Sequence, residues 1–217
     1  MVYIPLFIDA SSLKVLVVGG GMVGSRRARS FLSAGAMVTV VAKEFSEELL
    51  KNKAINTIEA DIEEGGEIEK LIEQNDLIVI ATDNKKINDK VYEMAKLKGK
   101  LINNATDASK GNVIFPFRLK VLDNIEVAVT SFGASGIAAR RVAERIKDTI
   151  DKDKELEALY DSMKEFKKYL KDNINDAKLR YKLYFIVEND KEYESYIRMG
   201  DKDSALRRAI QIAKKFV

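Results

Sequence analysis

The chain has 217 residues, 46% of them hydrophobic and 33% charged, with a formal net charge of +3. That is length enough to bury a sizeable core, and a charge too nearly balanced for bulk attraction to nucleic acid or to a membrane surface. Cysteine and histidine are both absent. Their absence excludes disulfides, thiolate nucleophiles and zinc sites of the usual Cys/His type, and it leaves proton transfer to carboxylates, lysine or tyrosine.

The opening stretch MVYIPLFIDASS has no charged segment leading into a long apolar core, so it does not read as a signal peptide. No apolar run reaches the ~20 residues of a membrane span, and a cytoplasmic protein is expected. The run KVLVVG reads as a buried strand, and a helix is predicted from Met22 to Ala34, closed by Gly35. MVTVVA is a second strand and AINTIEA a weaker third. GGEIEKLIEQN has helical spacing, DLIVIAT (Asp76 to Thr82) is a fourth strand, INDKVYEMAKLKG a helix, and KLINNATD a fifth strand with its exit. Strands alternating with helices imply right-handed βαβ units and a doubly wound parallel sheet.

The rhythm changes in NVIFPFRLKVLDNIEVAVTSFG, where two β runs joined by LDN leave no room for a crossover and are expected to pair antiparallel. From Ser135 onward the pattern is almost entirely helical. The expected division is a nucleotide-binding domain (1–111), a small α+β module (112–150) and a helical module (151–217).

Gly19-x-Gly21-x-x-Gly24 follows the first strand directly and opens the first helix. In a Rossmann-type fold the first glycine permits the tight turn, the second lets a pyrophosphate approach the backbone, and the third lets helix and sheet pack closely. With Met22 and Val23, whose amides start the helix, these residues form the candidate dinucleotide site. A carboxylate at the end of strand two normally holds the adenosine ribose and repels a 2′-phosphate. Here Ala42 and Lys43 stand there, with Glu44 one step further along. On physical grounds NAD and NADP are nearly tied. Thr82 and Asp83, at the end of strand four, are expected to line the same cleft, and Asp83 also reads as an N-cap for the following helix.

NNATDASKGNVIFP follows strand five at the same sheet edge. Without histidine, Asp107 is the best candidate general base, its pKa expected to rise by desolvation beside a bound cofactor. The competing reading makes it the first residue of an Asx-turn. Asn104 lies beside it.

YIPLFIDASSLKVLVVGGGMVGSRRARSFLSAGAMVTVVA, LIVIATDNKKIN, INNATD and VAVTSFGASGIAARRVAERI, in that order, resemble the precorrin-2 dehydrogenases of siroheme synthesis. These occur alone, as dehydrogenase-ferrochelatases, or fused to a uroporphyrinogen methyltransferase. The resemblance runs from Tyr3 to about Ile150. It implies NAD-linked oxidation of precorrin-2 to sirohydrochlorin, with NAD bound despite the missing acid and the N-x-x-D aspartate, Asp107, implicated in catalysis. It also implies a tetrapyrrole near Ser131, with Asn104 and Ser135 as further candidate substrate contacts, and a homodimer built on the antiparallel segment and the helix after it. The sequence departs from the family pattern at Gly136, where proline is frequent, and at Val113, near a usual aromatic.

Precorrin-2 carries eight carboxylates, so Arg140 and Arg141, beside Arg118 and Arg145, are candidate substrate contacts. The alternative is a solvated helix face with Arg141 paired to Glu144. The RRAR run at 26–29 is expected on a helix face near the pyrophosphate. Insertion of ferrous iron is left open, with no soft metal-ligand cluster to support it. The competing function classes are a non-catalytic nucleotide-sensing domain and a dehydrogenase for another small substrate.

Overall fold

A computed structural model describes residues 3–62 and 66–216. They form two compact units, one reaching Phe115 and taking in Phe132–Ala134, the other made of Pro116–Ser131 and Ser135 onward.

The first unit is a five-stranded parallel sheet of β1 (Lys14–Gly20), β2 (Met37–Phe45), β3 (Asn56–Glu59), β4 (Leu77–Ile80) and β5 (Leu101–Asn104), in the order β3-β2-β1-β4-β5. Every residue of β1 after Lys14 is buried, and all of β4. Successive side chains point to opposite faces, so a strand covered on both faces has no polar alternation. Leu16, Val18, Ile78 and Ile80 face one core, against α3 (Glu67–Gln74) and α4 (Lys85–Leu97). Val15, Val17, Leu77 and Val79 face the other, against Ala28 and Phe31 of α1 (Met22–Ser33). The Rossmann-type sheet expected from the alternation is therefore present, and α1 stops at Ser33 with Gly35 at φ +91°.

Two local expectations are corrected. β2 does not end at Ala42 but runs to Phe45, with Phe45 opposite Gly20 beyond a break in register. A short helix α2 (Glu47–Lys51), unforeseen, follows it. Ser46 caps it through Leu49 N–H, and two glutamates fill its first turn, a start signal legible in SEELLK. The helical pattern GGEIEKLIEQN begins at Gly65, which lies outside the described residues; from Glu67 on it is α3.

In the second unit β6 (Phe117–Val121) and β7 (Ile125–Val129) form the expected antiparallel hairpin, with α5 (Gly136–Ile150) packed on it. Four further helices follow: α6 (Lys154–Asn173), α7 (Ala177–Glu188), α8 (Lys191–Arg198) and α9 (Lys202–Ala213). They enclose a core of Phe166, Leu170, Leu183, Val187, Tyr193, Ile197 and Ile212. Each begins on an aspartate whose carboxylate accepts from a first-turn amide: Asp153, Asp176, Asp190 and Asp201. No helix among the described residues is long and apolar enough to cross a membrane.

Candidate functional site

The C-terminal ends of β1, β2 and β4 open onto a cleft of about 810 Å³, within the range of small-molecule and cofactor sites. Gly19, Gly21, Met22, Val23, Ala42, Lys43, Thr82 and Asp83 all line it. So do Glu44, which the sequence placed one step beyond the usual acid, and Phe45, Ser46, Asn84 and Thr106, which sequence spacing did not single out; Phe45 and Ser46 enter because β2 extends further than expected, Asn84 and Thr106 because the loops after β4 and β5 open on the same edge.

The glycines divide by what a side chain would meet. At Gly19 (φ +118°) a Cβ would sit 2.5 Å from the Ala81 carbonyl oxygen, and at Gly24 only 1.9 Å from that of Gly19. Gly24 thus packs α1 onto the loop rather than facing the cleft. At Gly21 a Cβ would meet nothing within 4 Å, so this position opens into free space where an anion can approach the backbone. Gly21 is also the N-cap of α1 and supplies no side-chain acceptor, whereas every helix from α4 onward has one. The first-turn amides of α1 therefore have no side-chain cap to satisfy them, as a phosphate-binding helix start requires. The loop itself is tied down: Ser25 Oγ donates to the Gly21 carbonyl at 2.8 Å and lies 2.7 Å from Ser46 Oγ, while Ser46 N–H donates to the Gly20 carbonyl at 3.0 Å. These features fit a dinucleotide.

At the end of β2, Ala42 is buried and Lys43 is paired with Asp61 at 2.7 Å. The RRAR run does not reach the cleft. Arg29 pairs with Glu48 at 2.6 Å, and Arg27 lies 4.0 Å over the Phe115 ring, its pKa lowered to about 10 by burial and by Arg26. The N-cap of α4 is Asn84, not Asp83: Asn84 Oδ1 accepts from the amides of Lys86 (2.9 Å) and Ile87 (3.2 Å). Asp83 is left facing the cleft.

The loop after β5 carries Asp107 in an Asx-turn. Its Oδ1 accepts from Ser109 Oγ at 2.6 Å and from Ser109 N–H at 3.0 Å. The Ser109 bonds, then Lys110 and Lys85, hold its pKa below the ordinary value. Without a nucleotide in the cleft, hydrogen bonds to the charged form outweigh desolvation at this partly open position. Asn104 is buried, and its Oδ1 accepts from Thr106 N–H (3.0 Å), Thr106 Oγ (2.9 Å) and Asp107 N–H (3.0 Å).

In the second unit Ser135 is the N-cap of α5, accepting from Ala138 N–H at 3.2 Å, and its own N–H donates to Ser131 Oγ at 2.9 Å. Both serines thus shape the turn into α5. Arg140 and Arg141 are exposed on that helix. The alternative of a solvated helix face has Glu144 paired with Arg141; Glu144 lies instead beside Arg140, at a loose 3.8 Å. Among the described residues no cluster of three or more acidic side chains is arranged to hold a metal ion.

A family model described as "Putative NAD(P)-binding" matches residues 6–117. A Methanocaldococcus jannaschii protein named "Putative precorrin-2 dehydrogenase" is 31% identical over 206 residues, covering 92% of this chain and 97% of that one. The siroheme synthase of Mannheimia succiniciproducens is 33% identical over 152 residues, 68% of this chain but only 30% of the longer enzyme. The solved structure of SirC, a precorrin-2 dehydrogenase, superposes with a TM-score of 0.71 at 23% identity, covering 98% of this chain and all of that one, which shows the shared fold. With an NAD(P)-binding half and an end-to-end match to a dehydrogenase of its own length, the chain belongs to the precorrin-2 dehydrogenase family.

Proposed function

We infer that the protein oxidises precorrin-2 to sirohydrochlorin with NAD as the acceptor, in siroheme or related modified-haem synthesis. The observation that carries this reading is the end-to-end likeness to a dehydrogenase of the same length, joined to a glycine loop open only at Gly21. When bound, the nicotinamide accepts a hydride from a reduced tetrapyrrole carbon. Gly21, Met22 and Val23 would hold the pyrophosphate, and Thr82 and Asp83 the far side of the nucleotide. Asp107 would receive the proton released with the hydride, directly or through water. Its carboxylate, like any aspartate near its ordinary pKa, is ionised at neutral pH; the Ser109 hydrogen bonds lower that pKa further and so hold the group as a carboxylate of reduced basicity.

NAD is favoured over NADP at the adenosine end. Lys43 already has Asp61 as a partner, which neutralises the cation a 2′-phosphate would seek, and Glu44 adds a carboxylate to the cleft lining. The tetrapyrrole carboxylates would meet Arg140 and Arg141 near Ser131 and Ser135. Residues 112–150 would also pair two subunits. Among the described residues the β6–β7 hairpin pairs with no further strand at either edge, and Ile137 and Val142 on α5 are 66% and 50% exposed. A stable monomer by light scattering at micromolar concentration would remove the dimer from the proposal.

The test is anaerobic mixing of protein, precorrin-2 and either NAD or NADP, following reduced nicotinamide and sirohydrochlorin together. Equal formation of both products, faster with NAD, is expected. Nucleotide binding without turnover would overturn the assignment.

A further inference from the structure

Asn88 lies on α4, is 3% exposed, and commits its entire side-chain amide to two loops. Its Nδ2 donates to the Thr82 carbonyl at 3.0 Å and to Thr106 Oγ1 at 3.2 Å, and its Oδ1 accepts from Thr82 Oγ1 at 2.5 Å. A primary amide has two N–H donors, and both are used. Thr106 Oγ1 in turn donates to Asn104 Oδ1 at 2.9 Å, the same atom that accepts the Asp107 amide at 3.0 Å. A hydrogen-bonded line therefore runs from Thr82, at the nucleotide cleft, through Asn88 and Thr106 to Asn104 and the backbone of Asp107.

A buried asparagine is costly unless fully bonded, and an apolar residue would serve the helix better. Nothing in packing α4 on the sheet requires it; Ile87, Val91 and Ala95 do that. What it does is fix the distance between the loop after β4 and the loop after β5. We propose that Asn88 is a positioning residue for the dehydrogenation: it holds the Asp107 loop in register with the nucleotide loop through Thr106 and Asn104. The proposal rests on the reading of Asp107 as the base.

The test compares Asn88→Ala, Thr106→Val and Thr106→Ser with the parent chain. The readouts are amide hydrogen exchange at Thr106 and Asp107 in nucleotide-free protein, NAD affinity, and kcat with precorrin-2. Asn88→Ala and Thr106→Val are expected to speed exchange at Asp107 and to lower kcat roughly 10- to 100-fold, as small displacements of a catalytic group do. Because Thr82 and Thr106 line the nucleotide cleft, NAD affinity is measured for each variant and kcat is compared at saturating NAD, which separates positioning from lost binding. Thr106→Ser keeps the hydroxyl and should restore both exchange and kcat. The inference is overturned if exchange is unchanged, if kcat survives loss of protection, or if serine behaves like valine. Should Asn88→Ala not fold, the two Thr106 variants decide alone. Asp107→Asn run alongside separates the two levels: parental turnover in that variant removes the base itself, whatever the exchange data say.

Discussion

Replacing Gly21 and Gly24 separately by alanine should have opposite effects, because the two glycines are open and closed for different reasons. At Gly24 the new Cβ would lie 1.9 Å from the Gly19 carbonyl oxygen and 3.5 Å from Val17 Cγ1. Backbone cannot yield as a side-chain tip does, so α1 must move off β1, at the ~1–3 kcal/mol or more typical of overpacking. In a chain of this size that corresponds to a fall in Tm of roughly 2–12 °C. At Gly21 the Cβ meets nothing within 4 Å, and the backbone, at φ −77° and ψ −170°, suits alanine. The gain from a stiffer unfolded chain, about 0.4–1 kcal/mol, is offset by alanine's poorer N-capping, so Tm should shift by only a few degrees. The same methyl would, however, occupy the space through which a pyrophosphate reaches the α1 amides. Losing one or two charge-assisted bonds, at ~1.5–3 kcal/mol each, weakens NAD binding by about 10-fold or more. Thermal unfolding with and without NAD, and titration calorimetry on folded variants, give both numbers. Parental NAD affinity in Gly21→Ala would refute the argument that the pyrophosphate approaches there.

Asp107→Asn should leave NAD affinity within about twofold while lowering kcat by roughly 10²- to 10⁴-fold, the usual contribution of a general base. Because Ser109 holds the Asp107 pKa below its ordinary 3.8, the active, ionised form is lost only as pH falls through that lowered value. The pH profile of kcat/KM should show no acid limb from this group above about pH 5, and Ser109→Ala should move the limb upward. Asp61→Asn removes the partner of Lys43 and should raise the NADP-to-NAD affinity ratio by up to about fivefold, the scale of an exposed ion pair. In the helical bundle Arg208 grips Asp190 with bonds of 2.9 and 2.7 Å and holds that carboxylate's pKa down. Arg208→Met should lower the urea unfolding midpoint at neutral pH. That difference is full above the ordinary aspartate pKa and should fade as pH falls through the lowered one.

The sheet was legible because strands buried on both faces must be written almost wholly in valine, isoleucine and leucine, as VLVV and LIVI are. The glycine loop was legible because three separate steric demands fall on three fixed positions. The end of β2 was not: Lys43 and Glu44 look like loop residues, yet they continue the strand, because Gly20 carries β1 far enough to pair with Phe45. The Asp83 cap was misread by one residue, since Asp and Asn both cap well and only geometry chooses Asn84. Of the two readings of Asp107, the Asx-turn is present, because a serine two residues on donates to its carboxylate, and that bond governs its charge in the nucleotide-free chain. The role of Asn88 left no trace in spacing, because its partners lie on loops that only the folded sheet brings together.

The lacing of the glycine loop has a thermodynamic consequence. Ser25 on α1 and Ser46 before α2 share a hydroxyl contact, and each also bonds a carbonyl of the loop. The loop is thus set by the protein's own side chains before any nucleotide arrives, leaving little local disorder for the ligand to quench. A cofactor that must leave reduced after every turnover gains from such a seat. Affinity need not be drawn from folding the loop, and release need not wait for it to unfold. A change at position 25, a buried residue outside the lining of the cleft, should therefore register as a less favourable binding entropy and an altered rate of product departure.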